Sequence, residues 1–353
     1  MVGFELTPTK IGVRRVETLP QQFEDALRRI EISSDRRARA MAAHEEVRSL
    51  LEADPGLLAW GVDTTLIGSY SRSTAIHPGK DVDVFVRLTE LDRSTSPEVV
   101  FEAVRDVLVA QYGPRASAQT RSVKIDFDSD GEGFAVDAVP AVHAGQRWAI
   151  PDRDTARWSG GASGEGWVET DPERLGKLTT ATNSGVSVGG RGAYVPTVKL
   201  LRQTRRHHLD EARPGGLYFE LLAYWAFDHG VGGGSFAELL AAALRYAANQ
   251  LVGSEQLVDP AIGSAYDPQP NPAERAMAAE CFDDLATMAE TALMSYRCKV
   301  AVLWRGILGE NARGRCFPIP AGCDEDGHEM KNIFAVAATG SQEPAGFAAD
   351  RGT

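Results

Sequence analysis

The chain has 353 residues, 43% of them hydrophobic, which is enough for a sizeable core and for two lobes. Its formal net charge of -12 argues against strong generic nucleic-acid binding, which relies on neutralising phosphates, though it leaves room for a local basic patch. No run approaches the ~20 apolar residues needed to span a bilayer. The opening MVGFELTPTK has no apolar segment before a small-residue cleavage site. The expectation is a soluble, cytoplasmic protein with no membrane partner. Cys281, Cys298, Cys316 and Cys323 are too few for a disulfide framework, and a cytosolic home would keep them reduced. Cys316, Cys323 and His328 lie close in sequence but lack a C-x-x-C and a fourth ligand, so free thiols are expected there before a zinc site.

In chain order, residues 20 to 53 read as helix, with Phe23, Leu27 and Ile30 at helical spacing and a break offered by Ser33-Ser34. Asp54-Pro55-Gly56 ends it. Thr64 to Ile67 is a short β-branched run that stops at Gly68-Ser69. Asp81 to Leu88 (DVDVFVRL) alternates, placing Val82, Val84 and Val86 on one face and Asp81, Asp83 and Phe85 on the other. A helix from Pro97 to about Tyr112 follows, with Ser96 as N-cap. Ser122 to Asp128 and Phe134 to Val139 flank Ser129 to Gly133, which predicts an antiparallel hairpin and hence a mixed sheet with helices packed on it. Beyond residue 150 come two Gly-rich loops, Ser159 to Gly166 and Gly185 to Gly192. Helical patterns then cover roughly 195–209, 216–229, 235–252 and 273–308. The tail from about 320 is polar and expected to be partly mobile.

Asp81 and Asp83 stand two residues apart on one strand, so they share a face with Cα atoms roughly 6.5 Å apart. Two carboxylates so close repel each other, and a dication relieves the repulsion. Hard oxygen ligands suit Mg2+, with Mn2+ as an alternative. Asp137 joins them if its strand lies beside theirs. Three carboxylates can then hold two ions about 4 Å apart. By itself, D-V-D is equally compatible with a charged surface strand.

Its surroundings add weight. A glycine after a strand permits close approach of backbone to ligand. After Gly68, the residues Ser69, Tyr70, Ser71 and Arg72 offer N–H groups and hydroxyls to a triphosphate. Tyr70 could stack on a base, or simply pack. Lys199, Arg202 and Arg206 share a helix face at i, i+3 and i+7, which is equally the pattern of a solvated basic face.

The order G68-S69, D81-V82-D83, D137 resembles the DNA polymerase β-like nucleotidyltransferase superfamily. GSYSRSTAIHPGKDVDVFV followed by VDAVPA, then VPTVKLLRQTRR and GLYFELLAYWAF, resembles the cGAS/DncV-like (CD-NTase) nucleotidyltransferases, relatives of the oligoadenylate synthetases, over about residues 60 to 230. The resemblance implies an α+β fold of two lobes. One is a polymerase β-like mixed sheet with flanking helices over residues 1–190. The other is an oligoadenylate-synthetase-like helical lobe over 191–320, before a tail at 321–353.

It further implies synthesis of a cyclic di- or trinucleotide second messenger from nucleoside triphosphates, ATP and a second one, in CBASS-type anti-phage defence. Operon-encoded effector and regulatory proteins would be partners. Asp81, Asp83 and Asp137 are the implied catalytic metal ligands, with Asp137 the natural base. Lys199 and Arg202 would hold donor phosphates, and Gly215-Gly216-Leu217 stands where relatives often place a serine. Asn183 would face a nucleobase edge by family position, while its own neighbourhood (TTATNSG) reads as an Asx-turn. The alternatives are nucleotidyl transfer to another acceptor (a linear oligoadenylate, an RNA end, a protein or antibiotic hydroxyl) and a non-catalytic nucleotide sensor, against which the intact aspartate set argues.

Overall fold

The computed structural model describes residues 17–127, 133–154, 158 and 166–330. The opening segment, the tip of the expected hairpin, most of the first Gly-rich loop and the tail beyond 330 lie outside these residues.

Pro20 at the first turn starts helix α1 (Pro20–Ile30), whose Phe23, Leu27 and Ile30 are buried. Ser33 caps a separate helix α2 (Ser34–Ala53), its hydroxyl accepting from Arg36 N–H. The expected break at Ser33-Ser34 is therefore real. Asp54 accepts from the N–H groups of Gly56 and Leu57, so Asp54-Pro55-Gly56 starts a further short helix α3 (Pro55–Ala59) as well as ending α2.

Strands β1 (Val62–Ile67) and β2 (Asp81–Asp92) pair antiparallel, and the one-turn helix α4 (Gly68–Ser71) opens the loop between them. Helix α5 (Pro97–Tyr112) leads to β3 (Ala116–Ala118), β4 (Val123–Asp126), β5 (Ala135–Ala144), β6 (Arg147–Pro151) and β7 (Trp167–Thr170). The sheet order is β1-β2-β5-β4-β3, with β6 on the far half of β5 and β7 on β6. β2 and β5 run parallel and the other pairs antiparallel, so the expected hairpin and mixed sheet are present. Val82, Val84, Val86 and Leu88 are fully buried in one core with α2 and α5. At roughly 1.5–3 kcal/mol per buried aliphatic side chain, that face fixes the strand register, because a one-residue slip would turn the valines out and the aspartates in.

The second core is helical. It is built from α6 (Pro172–Gly185), α7 (Tyr194–Leu209), α8 (Gly216–Asp228), α9 (Phe236–Val252), α10 (Pro272–Leu293) and α11 (Arg297–Leu308). The predicted helix 273–308 is broken at Met294–Tyr296. Phe23, Leu27 and Ile30 of α1, and Leu175 of α6, pack in this core rather than on the sheet. Among the described residues, α1 packs on the helical side, α2 on the sheet and α6 on the helical side again.

The cysteines correct the sequence reading. Cys298 and Cys323 form a disulfide, with Cα atoms 5.3 Å apart. Cys316 is buried in the helical core, and burial pushes its thiol up to about 11. With Cys323 bonded to Cys298 and Cys316 enclosed, these two cysteines and His328 do not form a metal site. The start of the expected mobile tail is also structured. Cys323 bridges Glu329, and Met330 N–H donates to Gly322 O.

Candidate active site

The site forms where the loop after β1 crosses the start of β2. Gly68 has φ +70, and a Cβ there would overlap the Asp83 carboxylate, so the position demands glycine on both counts. The next turn is tied down internally. Ser69 O accepts from the N–H groups of Thr74 (2.9 Å) and Ala75 (3.1 Å), and the Ser71 hydroxyl donates to Gly68 O (3.0 Å). Tyr70 is buried and its hydroxyl donates to Gly79 O (3.3 Å). It braces the loop that delivers Asp81, which is packing and not a base platform.

Asp83 on β2 is the register partner of Asp137 on β5, and Asp81 stands one pleat earlier. All three line a cavity of about 520 Å³ between the lobes. Burial, opposed by Arg72 and reinforced by Asp81, raises Asp83 to about 6. Burial together with Asp83 and Asp81 raises Asp137 to about 7. Burial also raises Asp81, against the pull of Lys124, Lys80 and Arg206. Asp137 Oδ1 is buried without a hydrogen-bond partner. A cluster of mutually repelling carboxylates with one orphaned oxygen is the donor set a hard dication fits. The carboxylates are nonetheless splayed. Among the described residues, the one His/Cys/Asp/Glu group whose ligand atoms all lie within 4.8 Å is Asp324, Asp326 and His328, of which Asp326 and His328 are exposed.

Cations face the aspartates from α7. Arg202, Arg205 and Arg206 line the same cavity, with Gly68, Ser69 and Lys80. Arg202 Nη1 donates to Thr74 O (3.3 Å) and lies 3.5 Å from Glu220 Oε2. Arg206 donates to His77 O, and burial, with Arg202 and Arg205, lowers it to about 10.

Lys199 is placed elsewhere. Its ammonium pairs with Glu31 at 2.8 Å and lines a second cavity of about 350 Å³, with Ser71, Asn183 and Arg191; Arg72 lines both cavities. Asn183 is not in a loop. It sits in the last turn of α6 and accepts the N–H of Val195 (2.9 Å) at the start of α7. The aspartates, Gly68, Ser69 and Arg202 are therefore brought together, whereas Ser71, Asn183 and Lys199 are set apart.

Three features escaped the sequence reading. Arg72 donates to Glu220 through Nε (2.7 Å) and Nη2 (3.3 Å), and Thr74 donates to the same carboxylate (3.0 Å). Burial opposes the charge on Glu220, yet Arg72, Arg202 and Thr74 hold it below the usual glutamate range. Lys124 on β4 is the register partner of Asp137. Only α6 carried a local signal, Asp171-Pro172-Glu173, in which Asp171 accepts from Arg174 N–H (2.8 Å).

The sequence profile of the Second Messenger Oligonucleotide or Dinucleotide Synthetase domain matches residues 18–173. The match takes in the whole seven-stranded sheet. The CD-NTase resemblance read from the motifs stands with it. The cyclic AMP-AMP-AMP synthase of Acinetobacter sp. (strain ATCC 27244 / 9458) is 29% identical over 222 residues, a match covering 60% of each chain.

Solved structures share the fold of the sheet and of the helical core beside it. CdnC of E. coli MS115-1, solved with ATP, superposes with a TM-score of 0.65 at 17% identity, over 86% of this chain and all of that one. The same protein in a HORMA-deltaN complex gives 0.62 at 15%, over 85% and 99%. Bradyrhizobium diazoefficiens CdnG with GTP gives 0.61 at 16%, over 78% and 92%. The two-lobed α+β fold is shared with these proteins. No helix among the described residues is long and apolar enough to cross a membrane.

Proposed function

We propose that this protein joins nucleoside triphosphates into a cyclic oligonucleotide by metal-dependent nucleotidyl transfer. The observation that carries the reading is the placement of Asp83 opposite Asp137, with Asp81 one pleat away, beneath Gly68-Ser69 and across the cleft from Arg202. The synthase from Acinetobacter and the nucleotide-bound CdnC and CdnG support this substrate class.

Asp81, Asp83 and Asp137 are the residues that would hold divalent magnesium. When bound, the metal neutralises charge at the α-phosphate and at the departing pyrophosphate. The chain supplies the rest. Gly68 brings backbone N–H groups up to the donor triphosphate, and Ser69 adds a hydroxyl. Arg202 approaches from α7, as a guanidinium matched to phosphate oxygens. Asp137 Oδ1, free of hydrogen bonds, takes the proton of the acceptor ribose hydroxyl as that oxygen attacks the α-phosphorus and pyrophosphate leaves. A second transfer within the bound linear product closes the ring. The catalytic lobe on this reading runs from α2 to β7, and the helical lobe comprises α1 with α6 to α11. Service in CBASS-type defence, with a protein regulator, follows from the CD-NTase assignment and from the HORMA complex of CdnC.

Purified protein incubated with all four triphosphates and Mg2+ tests the reading by product mass. A phosphatase-resistant product with the mass of a cyclic di- or trinucleotide is expected. Absence of any product from nucleotides alone sinks it.

A further inference from the structure

We propose that Glu220 is a positioning residue: one carboxylate from the helical lobe sets the guanidinium groups of Arg72 and Arg202 against the polyphosphate seat. The inference rests on the nucleotidyl-transfer reading for its substrate, but its test does not need turnover.

Glu220 projects from α8 and is fully buried, and it lines the cavity that holds the aspartates. A buried carboxylate loses its hydration at a steep cost unless cations and hydrogen bonds compensate it. Here compensation comes from two lobes. Arg72 closes α4 on the sheet side and gives Glu220 its Nε/Nη2 edge, leaving Nη1 outside the pair. Thr74, from the same loop, donates to Glu220 Oε2 and lies 3.4 Å from Arg202 Nη1. Arg202 reaches the carboxylate from α7, and Gly216 gives it room, because a Cβ there would sit 3.1 Å from Arg202 Nη2. The side chains of Arg72, Arg202 and Glu220 are 5%, 16% and 0% exposed.

Two cations share the one carboxylate of Glu220, and the charge of Asp83 reaches both of them from the sheet side. Ion pairing alone would be satisfied by one arginine, and buried pairs are weak contributors to stability. The pair therefore offers more guanidinium N–H donors than Glu220 takes up, and the cavity between the lobes is where a polyphosphate would meet them. Without Glu220 the two arginines could not hold these places together, since like charges at this range repel in a low dielectric. Glu220 thus also locks the phosphate-binding end of the sheet lobe to α7 and α8.

The probe is inorganic tripolyphosphate with Mg2+, which carries no base, and its binding to the full chain is read by calorimetry. Glu220→Asp keeps the charge but retracts it by one methylene, whereas Glu220→Gln removes it. The expected dissociation constants rise in the order wild type, Glu220→Asp, Glu220→Gln, with Gln at least tenfold weaker although the variant is more positive. A purely electrostatic role predicts tighter binding by Glu220→Gln, and a purely structural role predicts unchanged binding with a lower Tm. Either result overturns the inference, as does a wild-type protein that does not bind tripolyphosphate. Should Glu220→Gln not fold, Glu220→Asp alone decides, with threefold weakening expected and no change overturning it. A wild type that binds tripolyphosphate yet makes no product from triphosphates would instead sink the nucleotidyl-transfer reading and leave this one standing.

Discussion

Asp83 on β2 faces Asp137 on β5 across a parallel strand pair, and burial together with the Asp83 carboxylate raises the affinity of Asp137 for its proton. An unfolded aspartate titrates near 3.8, whereas in the folded protein Asp83 titrates at about 6 and Asp137 at about 7. Stability from the neutral pair is fully present below the unfolded value and is lost as pH rises through the folded ones. Asp137→Asn removes the charge and should escape that loss. In EDTA its Tm should match wild type near pH 4 and exceed it by a few degrees at pH 8, since a pKa unit is worth about 1.4 kcal/mol. The same variant should lose the Mg2+-dependent rise in Tm and at least 10²-fold in turnover. A Tm difference that does not change with pH would refute the repulsion account.

Gly68 permits the close pass of the loop over Asp83. Gly68→Ala adds a methyl that overlaps the Asp83 carboxylate and strains a backbone at φ +70. The conformational part alone costs roughly 1–2 kcal/mol. The variant should remain folded by circular dichroism, with a lowered Tm and activity reduced at least 10²-fold. Near-normal turnover would mean that the loop does not shape the site.

How much of this was legible depends on range. The shared face of Asp81 and Asp83 followed from a period of two, whereas the pairing of β5 with β2 that adds Asp137 was a condition that alternation alone does not meet. The break between α1 and α2 followed from Ser33. The side on which α1 packs did not, since its apolar stripe of Phe23, Leu27 and Ile30 fits either core equally well. Asn183 looked like a turn residue because Gly176 and the threonines around it are poor helix formers, yet the capped start at Asp171 and burial of Leu175 and Thr179 carry α6 through them. Arg72 and Glu220 are 148 residues apart, and their meeting depends on how α8 docks, which no local pattern encodes. The Arg72–Glu220 contact, which joins the two lobes, stayed hidden for that reason, and Lys124 stayed hidden because its neighbour Asp137 is set by strand register.

Lys199 and Arg202 should separate on mutation. Arg202 lies in the aspartate cavity, while Lys199 is held by Glu31 in the neighbouring one. Arg202→Met is expected to raise the KM for triphosphates and lower kcat/KM by 10²-fold or more, as removal of a charged phosphate contact does. Lys199→Met should cost less than tenfold. Steady-state kinetics of both, in the same triphosphate mixture, compares them. Equal losses would show that Lys199 leaves Glu31 to reach the phosphates during turnover.

The disulfide between Cys298 and Cys323 ties the start of α11 to the turn that follows the helical core, closing a loop with a sequence separation of 25. Cys281 and Cys316 stay free. Alkylation of unreduced, unfolded protein should therefore label two of the four thiols, and labelling of all four would refute the pairing. On a chain-entropy account, a loop of this length contributes about 3 kcal/mol. Cys298→Ser should lower Tm by several degrees. Catalysis should be nearly unaffected at temperatures where the variant is folded, because none of the groups lining the aspartate cavity lies on the segment the bond secures. A loss of turnover at full folding would instead connect that segment to the cleft.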